Sequence, residues 1–96
     1  MSFIVKKHKA ESSKIILAII DEELAGKKIT EGNKVLDLNS SFYKGEKKRK
    51  EEVLDLIKEA GCLNVVGNKI VDLLKKEKLI DKTLKIGGVP YAQAVF

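Results

Sequence analysis

Leu84-Lys85-Ile86-Gly87-Gly88-Val89-Pro90-Tyr91-Ala92-Gln93-Ala94-Val95-Phe96 holds the only proline of the chain and its only Gly-Gly pair. Two β-prone pieces, residues 84–86 and 89–96, flank glycines that adopt positive φ without steric cost, so a tight turn between two strands is expected. Pro90 fixes its own φ and pushes Val89 toward an extended conformation, which favours a strand leaving the turn. A segment carrying Val95 and Phe96 is expected to be tied into a sheet.

Immediately before this stretch the apolar period changes from two to about 3.6. Residues 46–60 predict the clearest helix: Val53, Leu56, Ile57 and Ala60 form one stripe, widened by Leu54, and Gly61 follows as an expected C-terminal cap. A second helix is expected over 68–78, with Ile70, Val71, Leu73 and Leu74 inward and Asn68 as N-cap, or with a start as early as Asn64. Asp81-Lys82-Thr83 then reads as the turn into the final strands. Earlier, residues 3–9 read as a first strand, with a turn at Glu11-Ser12-Ser13. Residues 14–20 form a nearly unbroken apolar run, expected as a central strand buried on both faces and paired antiparallel with the first. Asp21-Glu22-Glu23-Leu24-Ala25-Gly26 predicts one helical turn, capped by Asp21 and stopped by Gly26. Short strands are expected at 27–30 and 34–38 around Glu31-Gly32-Asn33, and a loop at 39–45. The predicted fold is a single α+β domain: an antiparallel sheet with two helices packed on one face, its first and last strands neighbours.

Composition fits a folded domain with one modest core. Of 96 residues, 44% are hydrophobic and 34% charged. No apolar run approaches a membrane span, and the first residues do not read as a secretory signal. One cysteine makes no internal disulfide and fits a reducing cytoplasm. The net charge of +5 comes from eighteen lysines and one arginine, Arg49. Such a lysine- and glutamate-rich surface fits either a thermophile or a polyanion binder.

The residues that could carry chemistry are few. Cys62 and His8 are the only members of their kinds, too few for a four-ligand Cys/His zinc site and a weak basis for a nucleophile–base pair. Asp21, Glu22 and Glu23 favour the dipole of a helical turn over a metal site, because adjacent side chains diverge. Gly61 to Lys69 fails as a nucleotide loop: its spacing is one residue long, and Asn68-Lys69 stands where Lys-Ser or Lys-Thr is required. Gly67 opening a helix beside Lys69 leaves a phosphate of RNA as a candidate ligand. Gly87-Gly88 suits a hairpin turn first and an anion-binding nest second. No cofactor or metal is expected.

Four basic stretches remain: Lys6-Lys7-His8-Lys9, Lys27-Lys28, Lys44 with Lys47-Lys48-Arg49-Lys50, and Lys75-Lys76-Lys78. The third follows Phe42 and Tyr43, aromatic rings that can stack bases while lysines track phosphates. Four cations at the start of a helix are unfavourable in isolation, which points to a functional patch.

Residues 21–27, Phe42-Tyr43-Lys44-Gly45-Glu46, Asn64-Val65-Val66-Gly67, Leu79-Ile80-Asp81 and Ile86-Gly87-Gly88-Val89-Pro90-Tyr91-Ala92-Gln93 together resemble a family of small archaeal proteins, domain of unknown function 424. The likeness runs nearly the whole length, and the final block is its most specific part. In that family a histidine is common where Tyr91 stands and a glycine where Lys78 stands. The first departure argues against an imidazole role at that position, and the second alters a helix cap. The resemblance implies an archaeal cytoplasmic protein and brings no catalytic residues, leaving Asp21, Glu22, Gly26, Asn64, Gly67, Gly87, Gly88, Pro90 and Gln93 as motif residues without a role. A fainter likeness, from Asn64 through Leu73-Leu74 to Leu79-Ile80, is to the C-terminal half of a small eukaryote-type protein of the small ribosomal subunit.

The leading expectation is a non-enzymatic binding module of the archaeal translation apparatus. It would contact ribosomal or other structured RNA, or a translation protein, through Tyr43, Lys44, Lys47, Lys48, Arg49, Lys50, Lys69 and Tyr91. A protein–protein adaptor or homodimer joined through a sheet edge or the C-terminal strand is the alternative. A small enzyme using Asp21, Asn64 and Gln93 is the third reading.

Overall fold

The computed structural model describes residues 2–10 and 14–96; the turn expected at Glu11-Ser12-Ser13 lies outside them. Strands β1 (Ser2–Lys9) and β2 (Ile15–Asp21) pair antiparallel, with Phe3 opposite Asp21 and Lys9 opposite Ile15. After a 3₁₀ turn at Glu22–Leu24 come β3 (Lys28–Glu31) and β4 (Lys34–Asp37), which form a separate two-stranded hairpin. A second 3₁₀ turn, Ser41–Tyr43, leads to β5 (Glu46–Arg49), α1 (Lys50–Ile57), β6 (Cys62–Val66), α2 (Asn68–Lys76), β7 (Leu84–Ile86) and β8 (Val89–Val95). Among the described residues the main sheet has six strands in the order β5-β1-β2-β6-β8-β7. Only β2 and β6 run parallel. The α+β class and a mostly antiparallel sheet are as the sequence leads one to expect.

Both helices cover one face. Phe3, Val5, Leu17, Ile19, Leu63 and Val65 point from the sheet to meet Val53 and Ile57 of α1 and Ile70, Val71, Leu73 and Leu74 of α2. Each such side chain contributes about 1.5–3 kcal/mol through water excluded from its surface. The opposite face carries Ile4, Ile20 and Val66, and the β3–β4 hairpin lays Ile29 and Leu36 over them, with Leu38 and Tyr43 alongside. That second layer explains why β2 is apolar at consecutive positions: it has something to bury on both sides.

Several boundaries differ from expectation. Glu46–Arg49 is not the first turn of a helix but an edge strand on β1, with Arg49 opposite Ser2 and Glu46 opposite Val5. Pairing with β1 overrides the local helical propensity, and α1 begins only at Lys50. There Glu51 and Glu52 occupy the first turn, and the Arg49 backbone N–H donates to Glu52 Oε1 at 3.1 Å. The supposed cost of four cations at a helix start therefore vanishes, since three of them lie on a strand whose charged side chains protect a sheet edge. Gly61 is not a left-handed cap; its N–H donates to the Ile15 carbonyl at 2.8 Å and its carbonyl accepts from Phe96 at 2.9 Å, opening the β6 ladders. The first and last strands are not neighbours: β2 and β6 lie between β1 and β8.

The largest omission from the sequence reading is β6 itself. Cys62-Leu63-Asn64-Val65-Val66 falls between two glycines and ends in two β-branched residues, a short buried-strand signature that the following helix masks. The closing hairpin is as expected: Ile86 faces Val89, and Gly87 and Gly88 both have positive φ, +55° and +79°, as a two-residue type I′ turn demands.

Helix α2 ends in a Schellman arrangement. The Leu79 N–H returns to the Leu74 carbonyl at 2.9 Å and the Lys78 N–H to the Lys75 carbonyl at 3.0 Å. Lys78 sits at φ +58°, a left-handed conformation that strains its Cβ. Lys78→Gly is therefore expected to stabilise the fold by about 1 kcal/mol, raising Tm by about 5 °C. A melting curve with Tm unchanged or lowered would show that the position carries no strain.

Candidate functional site

The three acidic residues after β2 go three separate ways. Asp21 is 2% exposed and points toward the start of α2. Its Oδ2 accepts the Lys69 N–H at 2.9 Å and its Oδ1 the Ile70 N–H at 2.8 Å. It caps a helix 48 residues away, not the 3₁₀ turn beside it, which has no side-chain cap. Asn68 is correspondingly the first residue of α2 and Gly67 its N-cap. Burial pushes the Asp21 carboxyl above the ordinary carboxylate range, and the two N–H groups pull it only part of the way back. Glu22 pairs with Lys47 at 2.8 Å and Glu23 with Lys69 at 3.2 Å. Glu23 is held below the usual range by a hydrogen bond to its own backbone N–H and then by Lys69. The helix start proposed as a phosphate site is thus already filled by the protein's own carboxylate. Gly26, at φ +79°, closes the 3₁₀ turn as expected.

A lysine-lined groove lies elsewhere. Strand β5 pairs only with the first half of β1, from Ser2 to Val5, which leaves one edge of Lys6 and its successors unpaired. A groove of about 480 Å³ opens there, lined among the described residues by Lys6, Lys7, Lys44 and Lys48 and by the carboxylate of Glu46. Gly45 makes this convergence possible. A Cβ at that position would fall on the Val5 carbonyl, so only glycine lets the chain run against β1 and bring Lys44 beside Lys6 and Lys7. The first and third basic stretches of the sequence meet here.

The third stretch does not act as one patch. Lys47 lies opposite Ile4 and Lys48 opposite Phe3, on opposite faces of the sheet. Lys47 is engaged by Glu22, and Lys48 lies 3.3 Å from Glu46 and 4.0 Å from Glu52. Arg49 and Lys50 stand at the start of α1, exposed. Phe42 is not a free stacking platform: its ring lies 4.4 Å from that of His8, nearly parallel, and its carbonyl is 2.9 Å from His8 Nε2. This engagement also removes His8 from any pairing with Cys62. Ile16 of β2 stands between them in register, so they sit two strand spacings apart, about 10 Å.

On the sheet face beneath the β3–β4 hairpin is a cleft of about 500 Å³. Asn64 of β6 and Gln93 of β8 are direct cross-strand partners, so their amides project side by side into it. Tyr43, Tyr91, Leu36, Val66 and Lys82 also line it. Among the described residues no aspartate or glutamate lines it. Neither amide makes a side-chain hydrogen bond among the described residues. Burial pushes the Tyr43 phenol up, keeping it protonated as a donor. Four of the residues singled out in the sequence, Tyr43, Asn64, Tyr91 and Gln93, are brought together here. What the sequence did not disclose is that β6 and β8 are adjacent, which is what sets Asn64 against Gln93.

The closing glycines and proline are structural. The Gly87 N–H donates to Glu31 Oε1 at 3.0 Å, so the suggested anion nest holds a carboxylate of the β3–β4 hairpin. The Pro90 carbonyl accepts the Gly67 N–H at 2.9 Å, just past the end of the β6 ladder. Strand β8 pairs with β6 along Tyr91–Val95 but with β7 only along Val89–Tyr91, so among the described residues its β7-side edge is unpaired from Ala92 onward. Its backbone is tied in, while Val95 and Phe96 are 69% and 54% exposed. Among the described residues no helix is long and apolar enough to cross a membrane.

A comparison with curated proteins gives no match. Among solved structures, the crystal structure of an uncharacterized conserved protein from Methanopyrus kandleri has the same fold, with a TM-score of 0.78. It is 19% identical, and the alignment covers 97% of this chain and 90% of that one. The family model for a protein of unknown function, DUF424, matches residues 8–96, taking in β2, the groove-forming Gly45, both cleft amides and the closing hairpin. The chain belongs to the DUF424 family.

Proposed function

We propose that this protein is a non-enzymatic, cytoplasmic module that binds structured RNA, with the archaeal ribosome as the assembly to test first. The observation that carries the reading is the groove lined by Lys6, Lys7, Lys44 and Lys48, of which Lys48 is paired with Glu46 and Glu52 while the other three have no ion-pair partner among the described residues. Such a concentration of ammonium groups repels itself and is relieved by a polyanion, whose phosphates displace condensed counterions on binding. The groups best suited to acid–base or nucleophilic chemistry already have structural work. Asp21 caps α2, Glu22 and Glu23 hold lysines, and His8 is engaged by Phe42. With lysines in place of arginines, contacts would follow phosphate position and shape rather than sequence.

The test is co-sedimentation with archaeal ribosomal subunits across a salt series, comparing the wild type with Lys7→Glu/Lys44→Glu, both exposed positions. Saturable, salt-sensitive binding is expected. The double variant should bind at least about tenfold more weakly, with a salt dependence shallower by roughly 1.5 in slope. Absence of binding at low salt, or a variant indistinguishable from wild type, overturns the reading.

A further inference from the structure

We propose that the cleft between the main sheet and the β3–β4 hairpin takes a single unpaired adenine base, read at its edge by the facing amides of Asn64 and Gln93. The inference rests on the RNA reading for the source of the base, and on the cleft itself for its chemistry. Three observations converge on it. Two side-chain amides stand side by side on neighbouring strands with no hydrogen-bond partner among the described residues, each offering one donor and one acceptor. Two tyrosine rings and the side chains of Leu36 and Val66 supply apolar surface against which a flat ring can lie. The lining holds a lysine and no carboxylate, so a ligand carrying phosphate is not repelled.

Adenine fits two adjacent amides better than the other bases. Its exocyclic amine has two hydrogens, flanked by ring nitrogens on either side, so both its Watson–Crick and Hoogsteen edges present a donor beside an acceptor. A carboxamide complements that pattern bidentately. Guanine offers two acceptors on its Hoogsteen edge, and each pyrimidine has one edge of the matching kind. Under this proposal one of the two amides pairs with an edge of the adenine and the other is free to reach its second edge, with Tyr43 or Tyr91 against its face.

Consecutive residues link the groove and the cleft. Tyr43 lines the cleft and Lys44, the next residue, lines the lysine groove. Under this proposal a strand whose phosphates lie among Lys6, Lys7 and Lys44 continues past Tyr43 to place one base in the cleft. Unpaired bases are splayed out and stacked in this way by single-strand-binding proteins.

The experiment is a titration with AMP, GMP, CMP and UMP, following side-chain amide resonances by NMR and affinity by calorimetry. AMP is expected to shift the Asn64 and Gln93 amide signals and to bind at least about tenfold tighter than the other three. Gln93→Leu, at an exposed position that the fold tolerates, should abolish that preference, and Asn64→Leu should act alike if it melts as the wild type does. Equal affinities for all four nucleotides, or an AMP preference that survives Gln93→Leu, overturn the adenine site. A parallel arm uses ribosomal subunits. Salt-sensitive subunit binding unaffected by Gln93→Leu leaves the RNA reading standing and rejects the base pocket. AMP selectivity without any subunit binding keeps the pocket, rejects RNA as its source and makes the ligand a free adenine nucleotide.

Discussion

Gly67→Ala should destabilise the protein by about 3 kcal/mol or more, enough to remove a large part of the stability of a domain this size. Two costs add. Gly67 has φ +127° and ψ 153°, a region essentially closed to residues with a Cβ, worth about 1–3 kcal/mol in strain. A Cβ there would also overlap the Asp21 carboxyl group, which has no room to retreat because it is held by the Lys69 and Ile70 N–H groups. Either β6 moves away from β2, breaking the only parallel pair of the sheet, or the cap on α2 is lost. Urea unfolding should show a much lower midpoint with the slope unchanged. An unfolding free energy within about 0.5 kcal/mol of wild type would mean that Asp21 and Gly67 are not locked together as described.

Asp21→Ala should cost about 2–4 kcal/mol, since two N–H groups at a buried helix start lose their acceptor together. Asp21→Asn, with one acceptor oxygen in place of two, should lose about half as much. The pair also tests the charge. Because burial raises the Asp21 pKa, the folded state holds its proton more tightly than the unfolded chain does. The stability linked to this group is then fully present below the unfolded value and declines as pH rises through the raised folded value. The stability difference between wild type and Asp21→Asn should therefore shrink with rising pH across that window, measured by denaturant midpoints at a series of pH values. A difference that grows with pH would show that the two N–H bonds and the positive end of α2 outweigh burial.

The local code of this chain was strong where elements are contiguous. Apolar patterning predicted β1–β2, and glycine placement the β3–β4 and β7–β8 hairpins, because each pairs strands that follow one another in the chain. The apolar stripes of both helices were equally legible, though not their starts. Residues 46–49 are helix-prone by themselves and become a strand only because β1 offers a vacant edge. Strand β6 was hidden for the same reason: its paired residues lie 46 positions back in β2 and 25 to 33 positions on in β8.

The site divides along the same line. Sequence singled out Tyr43, Lys44, Asn64, Tyr91 and Gln93 one at a time, from composition, neighbouring charge and family resemblance. It could not show that Asn64 faces Gln93, that Lys6 and Lys7 meet Lys44, or that Lys47 and Lys48 point to opposite faces. Nor could it show that Asp21 fills the helix start that Gly67 and Lys69 seemed to leave open. Propensity and turn geometry are properties of a few adjacent residues, and they settled which elements exist. Which side chains share a cleft depends on strand order, and strand order is fixed by burying two sheet faces at once, an energy that belongs to the whole chain.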